Sequence, residues 1–276
     1  MEILTHGLIF FRMLFQTDYP LLTKIKILLF LEKLELKLIF NFKGKQNIVH
    51  ENFLGYKIAS INYKMLQFLV IEIFVNQDYI FKSDNATPLI FDCGANMGIA
   101  TIYLKWLYPK SRIFAFEPDF KIFQLLKENV ESNKLSDVYL FNLALSDKRG
   151  VLEFYPYVDK NEWNCGIGST KFESTNNIKK TMVDCVVLSD YVKDNIVDFI
   201  KMDIEGAESD VIKELVNTGN LNNVKQLKIE YHHKIKKPIF GSFLRMFELE
   251  GFQYKIRNDY SDVDTQTYLV HCIKKE

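Results

Sequence analysis

Three clusters of polar residues follow apolar segments of this chain and could carry chemistry. The first is the stretch Phe91–Gly98, where Asp92, Gly94, Asn96 and Gly98 join a predicted buried strand to a predicted helix. Glycine lets the backbone approach a ligand closely, and a helix N-terminus offers free amide groups and a positive dipole end. The stretch therefore predicts a turn that binds phosphate or carboxylate. Asn96 stands where a dinucleotide motif has its second glycine, which disfavours a pyrophosphate ligand.

Glu117 ends the next predicted strand, nineteen residues after Gly98. An acidic residue at about this spacing accepts the ribose hydroxyls of nucleotide-like cofactors, so the two features together predict a cofactor site. The third predicted strand ends near Asn142, where an adenine would lie. The candidate cofactor-binding residues are Asp92, Gly94, Ala95, Asn96, Gly98, Glu117, Asn142, Ala144 and Ser146.

The second cluster is Lys201–Glu208, at the end of another predicted strand. Lys201, Asp203 and Glu205 alternate along the sequence, so we expect their side chains on one side of the strand. Charged groups at the carboxyl end of a central strand are costly to bury unless they are paired or functional. An ion pair of Lys201 that only stabilises the fold is the alternative interpretation.

The third cluster is Glu230-Tyr231-His232-His233. Glu230 and His232 share a face of a predicted strand, and we expect Asp203 to lie on the neighbouring strand. A carboxylate beside a histidine can act as a general base or hold a divalent metal. We predict a general base and assign no metal ligand, while the metal stays open as an alternative. The candidate catalytic residues are Asp203, Glu205, Glu230 and His232.

Seven predicted strands, most of them separated by helices, indicate an α/β fold with a doubly wound, mostly parallel, Rossmann-like sheet. The last two strands, Phe252–Arg257 and Thr267–Ile273, have no helix between them, so we expect an antiparallel strand at one edge. An N-terminal α/β appendage precedes this sheet. We divide the chain into an apolar and basic element (1–50), a lead-in segment packed on the core (51–86) and the main domain (87–276), with an insertion at 143–198.

The N-terminal element is unusually apolar and basic. Residues 1–45 carry seven basic and four acidic residues, a composition that can bind an anionic membrane surface. However, the apolar positions form no continuous helical stripe, and residues 33–40 alternate as in a strand. We favour packing on the main domain or on a second subunit, and membrane contact and a homodimer stay open.

The composition excludes some classes of function. The 276 residues contain 35 basic and 35 acidic residues, so the chain lacks the overall positive charge typical of a nucleic-acid-binding protein. The four cysteines form no C-x-x-C pair, which favours a reducing compartment over a disulfide scaffold. No uncharged apolar run reaches the ~18 residues that span a bilayer. We therefore expect a cytoplasmic protein with no nucleic-acid partner.

Together, these stretches resemble class I S-adenosylmethionine-dependent methyltransferases, and specifically the FkbM-type family. The resemblance runs from about Glu72 to Tyr231, with terminal strands up to Ile273, and leaves residues 1–50 outside. It rests on a set of short motifs: Glu72-Ile73-Phe74-Val75 with Tyr79, Phe91–Gly98, Phe116-Glu117-Pro118, Ala144-Leu145-Ser146-Asp147, Lys201–Glu208 and Ile229-Glu230-Tyr231-His232.

The resemblance implies that S-adenosylmethionine is the methyl donor. Asp92–Gly98 would hold its methionine part, Glu117 its ribose, and Asn142–Ser146 its adenine. Asp203 and Glu205 would border the methyl group. Because the family mostly methylates hydroxyl oxygens of sugars, glycolipids or polyketide-type products, we expect a small-molecule or glycan acceptor. Asp203 or His232 would be the base, and Glu205 and Glu230 would orient the acceptor.

Other functions stay open at this point. A nucleotide-dependent oxidoreductase is disfavoured by Asn96, and a non-catalytic module that activates a partner is disfavoured by the intact acidic clusters. An N-methyltransferase is disfavoured because the chain has no Asn-Pro-Pro-Tyr motif. We expect acceptor specificity to lie in the polar loop Asp159–Lys180 and in residues 1–60.

Overall fold

The computed structural model describes residues 17–40, 48–156, 180–232, 240–258 and 267–275. The helices are α1 (Leu21–Phe40), α2 (Tyr63–Val70), α3 (Ile99–Leu107), α4 (Phe120–Ser132), α5 (Ser189–Val192), α6 (Glu208–Asn217) and α7 (Phe240–Leu249). A π-helical turn, Ile71–Val75, continues α2, and a 3₁₀ turn, Asn220–Asn223, follows α6.

The strands are β1 (Val49–Phe53), β2 (Tyr56–Ser60), β3 (Leu89–Cys93), β4 (Arg112–Phe116), β5 (Val138–Phe141), β6 (Ala144–Leu145), β7 (Gly150–Phe154), β8 (Thr181–Val186), β9 (Phe199–Met202), β10 (Gln226–His232), β11 (Phe252–Asn258) and β12 (Thr267–Lys274). Strands β1 and β2 form an antiparallel hairpin.

Seven of the strands form the central sheet, in the order β11-β12-β10-β9-β3-β4-β5. The five strands from β10 to β5 are parallel, and β12 runs antiparallel to both of its neighbours. The predicted mixed, mostly parallel sheet is confirmed, and the antiparallel strand is the second from the edge. Strand β3 is buried at every position, as expected for a strand covered on both faces by helices.

The insertion between β5 and β9 contains a second sheet. Strand β8 pairs in parallel with β6 and antiparallel with β7. The apolar stretch that begins at Val151 indicates β7. Strand β6 has no signal of its own in the sequence, because its two residues are too few for a periodic pattern. Most of the polar loop Asp159–Lys180 lies outside the described residues, and its predicted role in specificity stays a prediction.

Helix α1 packs on the main domain. It buries Ile27, Phe30, Leu31 and Leu34, which belong to the same hydrophobic core as residues of α2 and α3. Residues 33–40 are therefore helical, and the strand-like alternation is overruled because this buried stripe has helical spacing. Contact with a membrane or a second subunit stays a prediction. Among the described residues, no helix combines the length and apolar character needed to cross a bilayer.

The turn after β3 presses against the turn after β9. Gly94 adopts a φ of +78°, and a Cβ atom built on it would lie 1.7 Å from the carbonyl oxygen of Asp203. This approach is closer than any side chain allows, so the glycine keeps the ends of two neighbouring parallel strands in contact.

We expect Gly94→Ala to destabilise the fold by clearly more than a matched glycine substitution. Gly251 has a φ of +79° with nothing within 4 Å of its added Cβ atom, so Gly251→Ala should cost only the backbone strain of about 1–2 kcal/mol. Urea denaturation of both variants measures the difference. Equal losses would show that the Asp203 carbonyl moves aside without cost.

Candidate active site

A cleft opens at the carboxyl ends of β3, β4 and β9. Its empty space, part of which is open solvent, amounts to about 490 Å³. The cleft is lined by the turns after β3, β4, β5 and β9 and by residues of β4, β6 and β7: Gly94, Asn96, Phe116, Glu117, Pro118, Leu143, Ala144, Leu145, Phe154, Asp203, Ile204 and Glu205. The cleft therefore lies where ligands of parallel sheets bind.

The turn Gly94–Gly98 forms one wall of the cleft. The amides of Gly94 and Ala95 both donate to the carbonyl of Phe116, at 3.0 and 2.8 Å, so the turn is fixed against the end of β4. Gly98 begins α3 with a φ of +82°, where a Cβ atom would lie 2.6 Å from a Leu126 methyl carbon. Gly94 thus serves the turn and Gly98 the close packing of α3 on α4, while the predicted approach of a ligand to this backbone stays a prediction.

Glu117 lines the cleft, and its carboxyl group holds the Gly94–Gly98 turn by a hydrogen bond. One carboxylate oxygen accepts from the amide of Asn96 at 2.9 Å and the other from the amide of Asp119 at 2.8 Å. Burial raises the pKa of Glu117 to about 8, although these two amides oppose the shift. A buried carboxyl group that is fixed by backbone amides and lines a cleft is suited to binding hydroxyl groups.

Five of the nine candidate cofactor-binding residues do not line the cleft. Ala95 and Gly98 belong to the turn described above, and the other three are Asn142, Ser146 and Asp92. The side-chain amide of Asn142 donates to the carbonyls of Glu117 and Pro118, at 2.8 and 3.0 Å, and so braces the segment after β4. Ser146 is buried, and its amide bonds to the carbonyl of Val186 in the second sheet. Asp92, the third, is fully buried behind the Gly94 turn.

Lys201 is a buried cation that contacts both β3 with its turn and the turn after β9. Asp92 on β3 is its register partner, and the ammonium lies 3.6 Å from that carboxylate. The ammonium also donates to the carbonyl of Gly94 at 2.6 Å and lies 3.9 Å from Asp203. Thr101 donates to the other Asp92 oxygen at 2.6 Å. Burial lowers the pKa of Lys201, but Asp92 and Asp203 outweigh this effect, so the pKa is raised.

A cluster of carboxylates and one imidazole lies after β9 and at the end of β10, and two of its members, Asp203 and Glu205, line the cleft. Asp203, Glu205 and His232 each direct a side-chain oxygen or nitrogen atom to a common point, and these three atoms lie within 4.8 Å of one another. Nε2 of His232 is 3.5 Å from Glu205 and 4.0 Å from Glu230. One oxygen of Asp203 is buried without a hydrogen-bond partner among the described residues. The structure therefore brings together all four candidate catalytic residues.

Glu205 reaches this cluster by a different route from the one predicted. Strand β9 ends at Met202, before the alternation of charged residues is complete. Glu205 has a φ of +53° and Gly206 a φ of +97°, so the chain turns before it enters α6. Lys201 and Asp203 do face each other, but a left-handed turn brings Glu205 to the cleft.

Three acidic or phenolic residues of the site were not among the candidates. Glu208 at the start of α6 accepts from Nδ1 of His232 at 3.0 Å. The buried hydroxyl of Tyr79 donates to Glu72 at 3.0 Å and lies 3.4 Å from Glu230. Glu72 lies on the π-helical turn, a feature that is frequent at functional sites. The sequence signal that could have identified Glu72 is its position as a charged residue within an apolar segment.

The excess of carboxylates shifts the protonation of the cluster. Burial raises the pKa of Glu230 above its usual value, and Asp203 adds to this shift. Burial also raises the pKa of Glu72, with Glu230 adding to it. Burial lowers the pKa of His232, but Glu208 and Glu205 outweigh this effect and hold it well above its ordinary value. The cluster therefore retains protons at neutral pH that isolated carboxyl groups would lose.

The same side chains could offer ligands to a divalent metal. Two carboxylates and an imidazole form a mixed oxygen and nitrogen set of the kind that transition metals accept. The expectation that the site works as a base without a metal stays a prediction.

Comparisons with known proteins assign the family. A family model described as "Methyltransferase FkbM domain" matches residues 92–264, which is more than half of the chain. The chain therefore belongs to the FkbM methyltransferase family, as the sequence motifs predicted. This membership decides against the oxidoreductase alternative.

Individual relatives are distant. The chain is 28% identical to "Methyltransferase 1" of Beauveria bassiana over 223 residues, covering 74% of this chain and 88% of that protein. It is 30% identical to the "2-O-methyltransferase NoeI" of Sinorhizobium fredii over 153 residues, covering 50% and 61%. Among solved structures, a methyltransferase FkbM from Methylobacillus flagellatus aligns with a TM-score of 0.47 at 17% identity, covering 75% of this chain and 54% of that one.

Glu117 should give the ligand-free protein a distinctive pH dependence. Its pKa is about 8 in the folded protein and about 4.5 when exposed, so the unfolded chain loses this proton first. The stabilisation is complete below about pH 4.5 and is lost as the pH rises through 8. We expect the free energy of unfolding to fall by up to about 1.4 kcal/mol per pH unit on account of this group.

Urea denaturation of the wild type and of Glu117→Gln between pH 5 and 8 measures this slope. Glu117→Gln has no carboxyl group that titrates at this position. Its free energy of unfolding should therefore fall less steeply with pH, by the contribution of one titrating group, whatever its absolute stability. Glu153→Gln is the control, because the Glu153 side chain is 57% exposed on β7. Equal slopes in the wild type and Glu117→Gln would contradict the assigned protonation.

Proposed function

We propose that this protein is an S-adenosylmethionine-dependent O-methyltransferase that acts on a hydroxyl group of a sugar, glycolipid or secondary metabolite. The observation that carries the proposal is the position of two kinds of group on one cleft. Glu117 and the Gly94 turn line this cleft, and so do Asp203 and Glu205, which cluster with His232. Family membership supports the transfer of a methyl group.

The residues present fit S-adenosylmethionine. Glu117 offers a carboxyl group, fixed by two amides, to the ribose hydroxyls. The Gly94 turn has no side chain at its closest approach, and Leu143 and Ala144 provide an apolar edge for the adenine. The buried, unpartnered oxygen of Asp203 adds negative charge that suits a cationic sulfonium. Asn142 acts indirectly, by holding the backbone next to Glu117.

When it is bound, S-adenosylmethionine supplies an electrophilic methyl group, and the electron pair of the broken carbon–sulfur bond stays on sulfur. The protein orients the acceptor oxygen in line with that bond, and positioning of this kind supplies a large part of the rate. Asp203 or His232 accepts the hydroxyl proton, and Glu205 and Glu230 hydrogen-bond the acceptor. General base catalysis typically contributes 10²–10⁴-fold.

The acceptor class rests on the relatives and on the charge of the site. NoeI is named a 2-O-methyltransferase, and the FkbM protein of Streptomyces tacrolimicus, 31% identical over 106 residues that cover 37% of this chain and 40% of that one, is named a 31-O-demethyl-FK506 methyltransferase. Both names describe methylation of an oxygen. The carboxylates around His232 would repel an anionic acceptor, so we propose a neutral hydroxyl compound.

Titration calorimetry tests the cofactor. We expect S-adenosylmethionine and S-adenosylhomocysteine to bind and NAD not to bind. Glu117→Ala should weaken both sulfur ligands by about 1–3 kcal/mol, because the hydrogen bonds between its buried carboxyl group and the ribose hydroxyls are lost. Glu153→Ala on the exposed strand β7 is the control and should bind normally. An unchanged affinity of Glu117→Ala would remove this residue from the ribose site, and binding of NAD alone would refute the proposal.

Asp203→Asn tests the chemistry. The variant should bind S-adenosylhomocysteine with nearly wild-type affinity. If Asp203 is the base, turnover is lost because the amide cannot accept the proton, whereas turnover persists if His232 is the base. Formation of S-adenosylhomocysteine with methyl glucoside and glycerol as model acceptors measures turnover. Near-normal turnover would exclude Asp203 as the base, and a wild type that binds the cofactor but methylates no hydroxyl compound would favour the non-catalytic module.

A further inference from the structure

Glu208 connects the two elements that carry the catalytic candidates. Its side chain is 1% exposed, although it is ionisable, so its contacts must compensate for burial. One of its oxygens accepts from the amides of Gly206 and Ile204, at 2.9 and 3.3 Å. The same oxygen lies 3.0 Å from Nδ1 of His232. One carboxylate thus holds both the turn after β9 and the imidazole at the end of β10.

This contact determines which nitrogen of His232 can act as a base. A carboxylate only accepts hydrogen bonds, so Nδ1 must carry the proton in the pair with Glu208. In the neutral imidazole, the other nitrogen, Nε2, is then free of hydrogen and can accept a proton. Nε2 lies 3.5 Å from Glu205, which lines the cleft, and 4.0 Å from Glu230. The basic nitrogen of the imidazole is therefore next to the two carboxyl groups that hydrogen-bond the acceptor in the proposed function.

The geometry points to Glu208 as a positioning residue: it fixes neutral His232 in the Nδ1–H tautomer, so that Nε2 accepts the proton of the acceptor hydroxyl once the imidazole has lost its positive charge. The catalytic part of this inference rests on the proposed O-methyltransferase function. As the acceptor oxygen forms its bond to the methyl carbon, its proton passes to Nε2 and is later released to water. The arrangement follows the general rule that a catalytic base is oriented by a third group.

The tautomer is measurable without any acceptor. Long-range ¹H–¹⁵N NMR spectra of protein labelled with ¹⁵N-histidine, recorded at a pH where His232 is neutral, distinguish the two nitrogens. His232→Gln assigns the signal. We expect Nδ1 to be protonated and Nε2 to be unprotonated. His50 is an internal control, because it contacts Glu128 through Nε2 at 2.8 Å and should show the opposite tautomer if its contact persists in solution.

Two substitutions of Glu208 separate positioning from a merely structural role. Glu208→Gln should keep the Nδ1–H tautomer, because the amides of Gly206 and Ile204 require an oxygen on their side and so orient the new amide group. Glu208→Ala offers no acceptor, and the tautomer should become mixed or reversed. If Glu208→Ala does not fold, the wild-type and Glu208→Gln spectra decide the tautomer on their own. Glu128→Ala, with an exposed side chain, is the matched control and should change only the His50 signal.

The catalytic consequence is a loss of kcat with little effect on cofactor affinity. We expect Glu208→Ala to lower kcat by about 10²-fold or more with methyl glucoside and to bind S-adenosylhomocysteine within about twofold of the wild type. Glu208→Gln should retain a larger share of kcat than Glu208→Ala. An Nε2–H tautomer in the wild type, or an unchanged kcat in Glu208→Ala, would overturn the inference and leave the proposed function intact. Failure to bind either sulfur ligand would instead refute the proposed function, and the tautomer would still be measurable.

Discussion

The arrangement of the site depends on one buried ammonium group, that of Lys201. A buried cation is stable only if oxygens surround it, and here they come from three places: the carbonyl of Gly94, the carboxylate of Asp92 and the carboxylate of Asp203. The first two belong to β3 and its turn, and the third to the turn after β9. Because both turns line the cleft, one interaction sets the distance between them. The ring of Tyr79, 5.2 Å from the ammonium, covers its remaining side.

Beyond Lys201, the site holds more acids than bases, and this imbalance determines its protonation. Burial raises the pKa of Glu230 and of Glu72, so each carboxyl group binds its proton more tightly than an exposed one does. Tyr79 shares its hydroxyl with this pair at 3.0 and 3.4 Å, which connects them without adding a charge. A site of this kind gains most from a ligand that brings positive charge, whereas an anion would add to the repulsion. The charge balance therefore agrees with a sulfonium donor and a neutral acceptor.

The sequence predicted the parts of the site that depend on local order along the chain. The strand, glycine turn and helix at Gly94, and the spacing from Gly98 to Glu117, are local patterns, and the parallel sheet brings them together at one edge. Contacts between distant segments left no such pattern. Glu208 and His232 are 24 residues apart, and Tyr79 and Glu230 are 151 apart. Residues 33–40 show the opposite error. Their alternating apolar residues predicted a strand, but the segment is helical because its helix buries one face against the core.

The site also shows that the lead-in segment is more than a support for the main domain. Glu72 lies on the π-helical turn, and Tyr79 follows it within the segment 51–86. Their hydrogen bonds end at Glu230, on a central strand, so a boundary at residue 87 cuts through the polar network of the site. Helix α1 packs on the same core as this turn. The described N-terminal elements thus hold Tyr79 against Lys201 and Glu230, and in this way residues 17–40 and 48–86 bear directly on the geometry of the carboxylate cluster.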